Sequence, residues 1–121
     1  MAALLTDAWV ASCNDALAAA PGRDDERPLV VTELVPDAPE GAHRAITLVA
    51  DHDGVRLVAG EDPRTTAWLT VAYADAAALH AGELEPAEAL TKGRVRVRGD
   101  LRAVVEAVGA LADAHARLRE R

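Results

Sequence analysis

The strongest constraint on this chain is a set of glycines that divides residues 69–101 into short helices and strands. An alanine-rich run stops at Gly82, and Pro86 restarts a second short helix that stops at Gly93. Glycine tolerates the positive φ that closes a last helical turn, whereas proline suits a first turn. The spacing therefore predicts a strand, two short helices and a strand, with a turn at Gly99 into a further helix.

The two strands of this segment differ in character. Leu69, Val71 and Tyr73 alternate with smaller or more polar residues in the first, which is the period of a strand. In the second, residues 94–98, arginines alternate with valines and so predict one basic and one apolar face. Asp75 is predicted to cap the helix that lies between these strands.

The remaining elements follow from periodicity and turn signals. Thr6 or Asp7 can cap a helix that extends to about Ala20, and an apolar stripe at helical spacing predicts a last helix over about 100–120. That stripe consists of Leu101, Val104, Val105, Val108, Leu111, Ala112, His115 and Leu118. Three antiparallel strands are predicted over Leu29–Val35, Ala45–Ala50 and Val55–Ala59, the last two joined by a tight turn.

Composition limits the class of protein. With 121 residues and no repeat, the chain is expected to form one domain, 1–121, that folds without metal or disulfide. The lone Cys13 fits a reducing cytoplasm, and the N-terminal residues predict neither a signal peptide nor a membrane span, so we expect a cytoplasmic protein. A net charge of −7 makes nucleic acid a poor partner and opposes stable membrane insertion.

The glycine-punctuated segment resembles the sterol carrier protein 2 family, in particular a small stand-alone bacterial member. The positions that carry the resemblance are Gly82, Pro86, Ala89, Gly93, Arg94, Arg96, Gly99 and Asp100. The resemblance implies an α+β fold in which helices cover one face of a five-stranded mixed sheet, with an apolar tunnel between the sheet and the C-terminal helices. It also implies a non-catalytic carrier for a fatty-acyl, isoprenoid or sterol-like ligand, with no cofactor.

If the tunnel exists, its walls are expected to be the inward-facing apolar residues of the strands and helices. The expected ligand-binding residues are Leu69, Val71, Leu79, His80, Leu84, Leu90, Val95, Val97, Val104, Val105, Val108 and Leu111, joined by Ile46, Leu48 and Leu57. Where the family often has large apolar side chains, the two short helices carry Ala76, Ala77, His80 and Thr91. These small or polar residues leave either a volume for a ligand, with the helices opening to admit it, or a collapsed domain without one.

Motifs for covalent or metal chemistry are absent from the sequence. The four histidines are scattered without zinc spacing, and no nucleophile or phosphate-loop motif occurs, so no catalytic residue and no metal ligand are assigned. Two alternatives remain open. One is a small isomerase or cyclase in which His80 or Asp75 moves a proton in the same cavity. The other is a protein-interaction module, or a homodimer, with a vestigial cavity.

A row of arginines along the last predicted strand has two interpretations. Arg94, Arg96 and Arg98, joined by Arg56 and Arg102, form either a solvated outer face of the sheet or a docking surface for an acidic partner or lipid head groups.

Overall fold

A computed structural model describes residues 3–20, 22 and 27–119. The elements are α1 (Asp7–Leu17), β1 (Leu29–Leu34), β2 (Ala45–Asp51), β3 (Gly54–Ala59), β4 (Ala67–Val71), α2 (Tyr73–His80), α3 (Pro86–Thr91), β5 (Val95–Gly99) and α4 (Leu101–Arg119). This is the order of elements predicted from the sequence. The predicted C-terminal limit of the last helix, Glu120, lies outside the described residues.

The five strands form one mixed sheet in the order β3-β2-β1-β4-β5. Antiparallel pairing joins β1 with β2, β2 with β3, and β4 with β5, whereas β1 and β4 are parallel. The parallel pair arises because the chain crosses from the β3 edge to the far side of β1 before it forms β4. The predicted α+β class with a five-stranded mixed sheet is therefore confirmed.

Helices α1 and α4 pack on one face of this sheet. Alternate strand residues point toward them, and the register aligns Val31 with Leu48, Leu48 with Leu57, and Glu33 with Leu69. All five are buried, and the four apolar ones belong to one continuous core with Trp9 and other residues of the helices. The period of two along each strand thus places the core between the sheet and the helices.

On the other face, the connection from β3 to β4 is held by threonine hydroxyl groups. The hydroxyl of Thr47 donates to the Gly60 carbonyl at 2.7 Å, and the hydroxyl of Thr32 lies 2.8 Å from that of Thr47 and 2.7 Å from that of Thr65. Thr32 and Thr47 are both fully buried. This network fixes residues 60–66 against the sheet.

Two details of the short helices differ from the sequence prediction. Helix α2 begins at Tyr73, so Tyr73 does not belong to the preceding strand and Asp75 lies in the first turn, where it cannot cap the helix. Instead, the carboxylate of Asp37 accepts a hydrogen bond from the Tyr73 N–H at 2.8 Å. The first helix is also shorter than expected, since it ends at Leu17.

Some residues of the apolar stripe predicted for α4 are exposed rather than buried. Val104, Val108 and Leu111 are buried as expected, but Leu101 and Val105 are 43% and 45% exposed. Ala107 and Ala114 are buried in addition to the predicted set. The helix is therefore turned so that Val105 lies beside its buried face rather than within it. None of the helices among the described residues is long and apolar enough to span a membrane.

Candidate functional site

Among residues 3–20, 22 and 27–119, the space between the sheet and α4, where the tunnel is expected, holds a small cavity. Its volume is about 10 Å³, and its walls are Val31, Glu33, Ile46, Leu48, Leu57, Leu69, Ala107, Val108 and Leu111. A volume of roughly 10–15 Å³ accommodates one water molecule, whereas pockets for drug-sized ligands measure about 300–1,000 Å³. This cavity is therefore too small for a lipid chain, and the described part of the protein has a closed arrangement at this point.

A larger groove separates α4 from the short helices α2 and α3. It has a volume of about 290 Å³ and is lined by Leu79, Gly82, Leu84, Glu85, Pro86, Val105, Val108, Gly109 and Ala112. The exposed Val105 and the absence of a side chain at Gly109 keep this groove open. Val108 also lines the enclosed cavity, so the groove and the cavity are adjacent at that residue.

A second recess lies along the opposite flank of α4. Its volume is about 240 Å³, and it is lined by Gly22, Leu29, Leu48, Ala50, Val55, Glu106 and Ala110. Leu48 is common to this recess and to the enclosed cavity. Different faces of α4 therefore border the groove, the cavity and the recess.

The predicted ligand-binding residues are distributed over these spaces and the surrounding core. Leu69, Val108 and Leu111 line the enclosed cavity, and Leu79, Leu84, Val105 and Val108 line the groove. Val95 and Val104 are buried in the core, Leu90 and Val97 pack against it, and Val71 borders an open depression beside β4 and β5. Of the three additional strand residues, Ile46 and Leu57 line the cavity and Leu48 lines both the cavity and the recess.

The small residues expected to leave internal volume do so only in part. Ala76 is fully buried, but Ala77 and Thr91 are exposed, so their small side chains leave no space inside the protein. His80 is fully buried and occupies volume next to Trp9, whose ring centroid lies 5.4 Å from that of the imidazole. Ala77 and Thr91 face solvent, so the prediction that they leave internal volume is wrong.

A polar pair lies inside this otherwise apolar core. Nε2 of His80 on α2 is 2.8 Å from Oε2 of Glu33 on β1, and the two side chains are 0% and 6% exposed. Within residues 3–20, 22 and 27–119, neither Oε1 of Glu33 nor Nδ1 of His80 has a hydrogen-bond partner. Glu33 is also the one charged residue among those that line the enclosed cavity.

The arginines of β5 and its approach occupy separate environments. Arg94 donates from Nε to the Asp75 carboxylate at 2.9 Å, and the guanidinium of Arg98 lies 4.2 Å from the ring centroid of Trp68, a cation–π contact. Arg56 lies on β3 at the opposite edge of the sheet, where it binds Asp51, so it does not extend the row as expected. Arg96 and Arg98 are exposed, as a solvated outer face requires.

The other titratable groups offer little for catalysis. Burial raises the pKa of the Cys13 thiol to about 12, so it is not a thiolate nucleophile near neutral pH. Asp75, one of the two residues suggested for proton transfer, forms the ion pair with Arg94. At the β2–β3 turn, possible metal-ligand atoms of Asp51, His52 and Asp53 lie within 4.8 Å of one another. The Asp51 carboxylate, however, already accepts hydrogen bonds from Arg56 and Arg64.

Comparison with known proteins identifies the family. The model of the SCP-2 sterol transfer family matches residues 34–112, which is more than half of the chain. The chain belongs to the SCP-2 sterol transfer family. The match includes all eight positions on which the sequence resemblance rests, so that resemblance is confirmed. A search of curated proteins gave no match.

Solved structures of this family share the fold of the chain. A crystal structure of sterol carrier protein 2 is 20% identical, with a TM-score of 0.58 over 92% of this chain and 98% of the other. A conserved hypothetical protein from Thermus thermophilus, described as possibly a sterol carrier protein, is 21% identical, with a TM-score of 0.55 over 95% and 89% of the two chains. Both therefore have the architecture of a small sterol carrier domain.

The same fold occurs as part of a larger enzyme. A stereoselective inverting sec-alkylsulfatase from a Pseudomonas species is 16% identical, with a TM-score of 0.55 over 69% of this chain. This chain, however, spans only 13% of the length of the sulfatase. The similarity concerns the fold of one part of that protein.

Within this sterol carrier fold, sequence reasoning missed Glu33. The strand that contains Glu33 is nearly apolar throughout, and no role was predicted for its single carboxylate. A signal was nevertheless present, because the period of two places Glu33 on the same face as Val31, toward the core. A charged residue on the buried face of a central strand needs a partner, which here is His80.

Proposed function

We propose that this protein is a non-catalytic carrier that holds an apolar ligand between its sheet and α4. The ligand class is fatty-acyl, isoprenoid or sterol-like, and the site consists of the predicted residues that border the enclosed cavity and the groove. Family membership supports a carrier of lipid type. The proposed location is cytoplasmic, and the lone Cys13, which has no second cysteine to pair with in this sequence, fits a reducing compartment.

One observation carries this proposal: the groove and the recess each share a lining residue with the cavity, so the three spaces are adjacent. Val108 is shared by the groove and the cavity, and Leu48 is shared by the cavity and the recess. A rotamer change at Val108, together with a small outward movement of α4, would join the groove to the interior. The groove alone, at about 290 Å³, is already near the lower limit of roughly 300 Å³ for a ligand pocket.

Binding would be driven by removal of apolar ligand surface from water. Each Å² of apolar surface that leaves water contributes about 25 cal/mol, so a long hydrocarbon chain gains substantial affinity without a hydrogen bond. Part of that gain is offset by the loss of contacts that α4 makes in the closed arrangement. The side chains of Ala107 and Ala112 are small and Gly109 has none, so fewer side-chain atoms of α4 would lose contacts than with larger residues at these positions.

The enzymatic alternative is favoured by the Glu33–His80 pair, because a carboxylate that contacts an imidazole is a common arrangement for proton transfer. Both functions would place an apolar molecule in the same site. They differ in whether the molecule that leaves the protein is the one that entered it.

Native mass spectrometry of freshly purified protein, followed by organic extraction, tests the proposal. We expect a stoichiometric apolar adduct, or its formation after incubation with fatty acids, isoprenoid alcohols or sterols. The extracted molecule should keep its mass and structure when it is incubated again with the protein, whereas its conversion would favour the enzyme. A protein mass that remains unshifted with all three ligand classes would contradict the carrier function.

A further inference from the structure

The buried Glu33–His80 pair has more hydrogen-bonding capacity than the protein uses. The contact between Nε2 and Oε2, at 2.8 Å, occupies one atom of each side chain. Oε1 of Glu33 and Nδ1 of His80 are buried and have no partner in the part of the chain that the structure describes. Buried polar atoms are nearly always paired, so each such atom requires an explanation.

The chemical character of Oε1 follows from the contact itself. One proton lies between Nε2 and Oε2, and it belongs either to the imidazole or to the carboxyl group. When that proton is on Nε2 beside an ionised Glu33, or on Oε2 beside a neutral imidazole, Oε1 carries no proton and is a hydrogen-bond acceptor. A group that satisfies Oε1 must therefore be a donor.

The position of Glu33 connects this acceptor to the ligand site. Glu33 lines the enclosed cavity, where the other eight lining residues are apolar. The cavity volume, about 10 Å³, corresponds to roughly one water molecule or one hydroxyl group. Leu69, Val108 and Leu111 are among the walls, and Val108 also lines the groove, so Glu33 borders a space next to the groove from which a ligand would enter.

We propose that Glu33, positioned by His80, binds the polar head of the ligand and selects an uncharged donor, such as the hydroxyl group of a long-chain or isoprenoid alcohol. This inference rests on the proposed carrier function and specifies the head group that the site accepts. A hydroxyl group donates to Oε1 within an apolar enclosure, where such a bond is strong. An ionised fatty acid brings a second acceptor and a second negative charge to the same place, and it is rejected.

A purely structural role would account for the pair but not for its location. A buried ion pair can hold α2 against β1, and for that purpose the contact between Nε2 and Oε2 is sufficient. A structural role does not require Glu33 to line a cavity, and it does not require Oε1 to remain without a hydrogen-bond donor. A ligand-binding role explains both features, and it predicts a dependence on head group that a structural role does not.

The test compares three probes with the same twelve-carbon chain: dodecan-1-ol, methyl dodecanoate and dodecanoate. Calorimetric titration of the unmodified protein at pH 8 should give an affinity for the alcohol at least about tenfold higher than for the ester, which has no donor, and higher still than for the carboxylate. Equal affinities for the alcohol and the carboxylate would overturn the inference while leaving the carrier function intact. Failure of all three probes to bind would overturn both.

A pair of matched variants identifies the residue responsible. Glu33→Gln keeps the shape of the side chain and removes its charge, so the preference for dodecan-1-ol over dodecanoate should fall at least about fivefold. Asp51→Asn makes the same chemical change to a buried carboxylate on the opposite face of the sheet and should leave the preference unchanged. An undiminished preference in Glu33→Gln would overturn the assignment. If that variant does not fold, the probe comparison in the unmodified protein still decides the inference.

Discussion

The side-chain amide of Asn14 pairs with the backbone of Leu57 as a neighbouring strand would. Its Nδ2 donates to the Leu57 carbonyl at 2.9 Å, and the Leu57 N–H donates to its Oδ1 at 2.6 Å. Leu57 lies on β3, an edge strand whose outward hydrogen-bonding groups would otherwise be available to another chain. Helix α1 thus protects this edge of the sheet with a single residue.

Asn14→Ala should therefore destabilise the protein by about 1–2 kcal/mol, because two hydrogen bonds are lost and two backbone groups lose their partners. Urea unfolding followed by tryptophan fluorescence measures the change. Asp15→Ala is the matched control, since it introduces the same alanine one position later in α1 at an exposed site. The Asn14 assignment would be wrong if both variants unfolded at the same urea concentration.

Gly93, which precedes β5, and Gly99, which is its last residue, should respond differently to alanine. Gly93 has φ 72° and open space where a Cβ atom would lie, so Gly93→Ala should cost only the backbone strain of about 1 kcal/mol. Gly99 has φ 89°, and a Cβ atom there would lie 2.3 Å from the Thr66 carbonyl oxygen. Strain and overlap together should cost about 3 kcal/mol in Gly99→Ala. Unfolding free energies measure both costs, and equal losses would contradict the close approach of β5 to residue 66.

Asp51 should make the stability of the protein depend on pH. Hydrogen bonds from Arg56, and also from the Asp53 N–H and Arg64, hold the pKa of the Asp51 carboxyl far below its ordinary value. In the unfolded chain an aspartate has a pKa of about 3.9, so the ionised Asp51 carboxylate stabilises the folded protein above that pH. This contribution is lost as the pH falls from about 4 through the lower pKa of the folded state.

Asp51→Asn should accordingly be less stable than the unmodified protein at pH 7, and the difference should shrink below about pH 4. Unfolding free energies at pH 7, 5 and 3 give the comparison. Asp53→Asn removes an exposed carboxyl from the same turn and should leave the pH dependence nearly unchanged. A gap between Asp51→Asn and the unmodified protein that stayed constant with pH would rule out this explanation.

Local signals in the sequence were sufficient for the elements and their order. Gly82 and Gly93 both have positive φ at the ends of α2 and α3, and Pro86 opens α3, as their residue types predict. These effects act within one helical turn, so a single sequence reveals them. Thr6 caps α1 in the same local way, accepting from the Trp9 N–H at 3.2 Å.

Contacts between distant residues were beyond such reasoning. The cap of α2 comes from Asp37, 36 residues before Tyr73, and the partner of His80 is 47 residues away. The rotation of α4 about its axis, which leaves Val105 exposed, depends on how it packs against α1, α2 and the sheet. Periodicity identifies an apolar stripe on a helix. It does not determine which residues along the edges of that stripe are buried and which are exposed to solvent.

That exposed position of Val105 provides the sharpest test of where a ligand enters. Val105 is 45% exposed and lines the groove between α4 and the short helices, so Val105→Glu should fold normally. An apolar chain seated in the groove would cover the new carboxylate and strip it of water, which is costly. Binding of dodecan-1-ol, measured by calorimetry, should therefore weaken at least about tenfold.

The matched control is Val58→Glu, which makes the same substitution at a position on β3 that is 39% exposed and borders none of the three spaces around α4. Both variants add one negative charge, so a general effect of net charge on binding would appear equally in both. Loss of binding in Val105→Glu alone would place the entrance at the groove, because only there does the carboxylate meet the ligand. Unchanged affinity in a folded Val105→Glu protein would instead direct attention to the recess beside Glu106 and Ala110, on the other flank of the same helix.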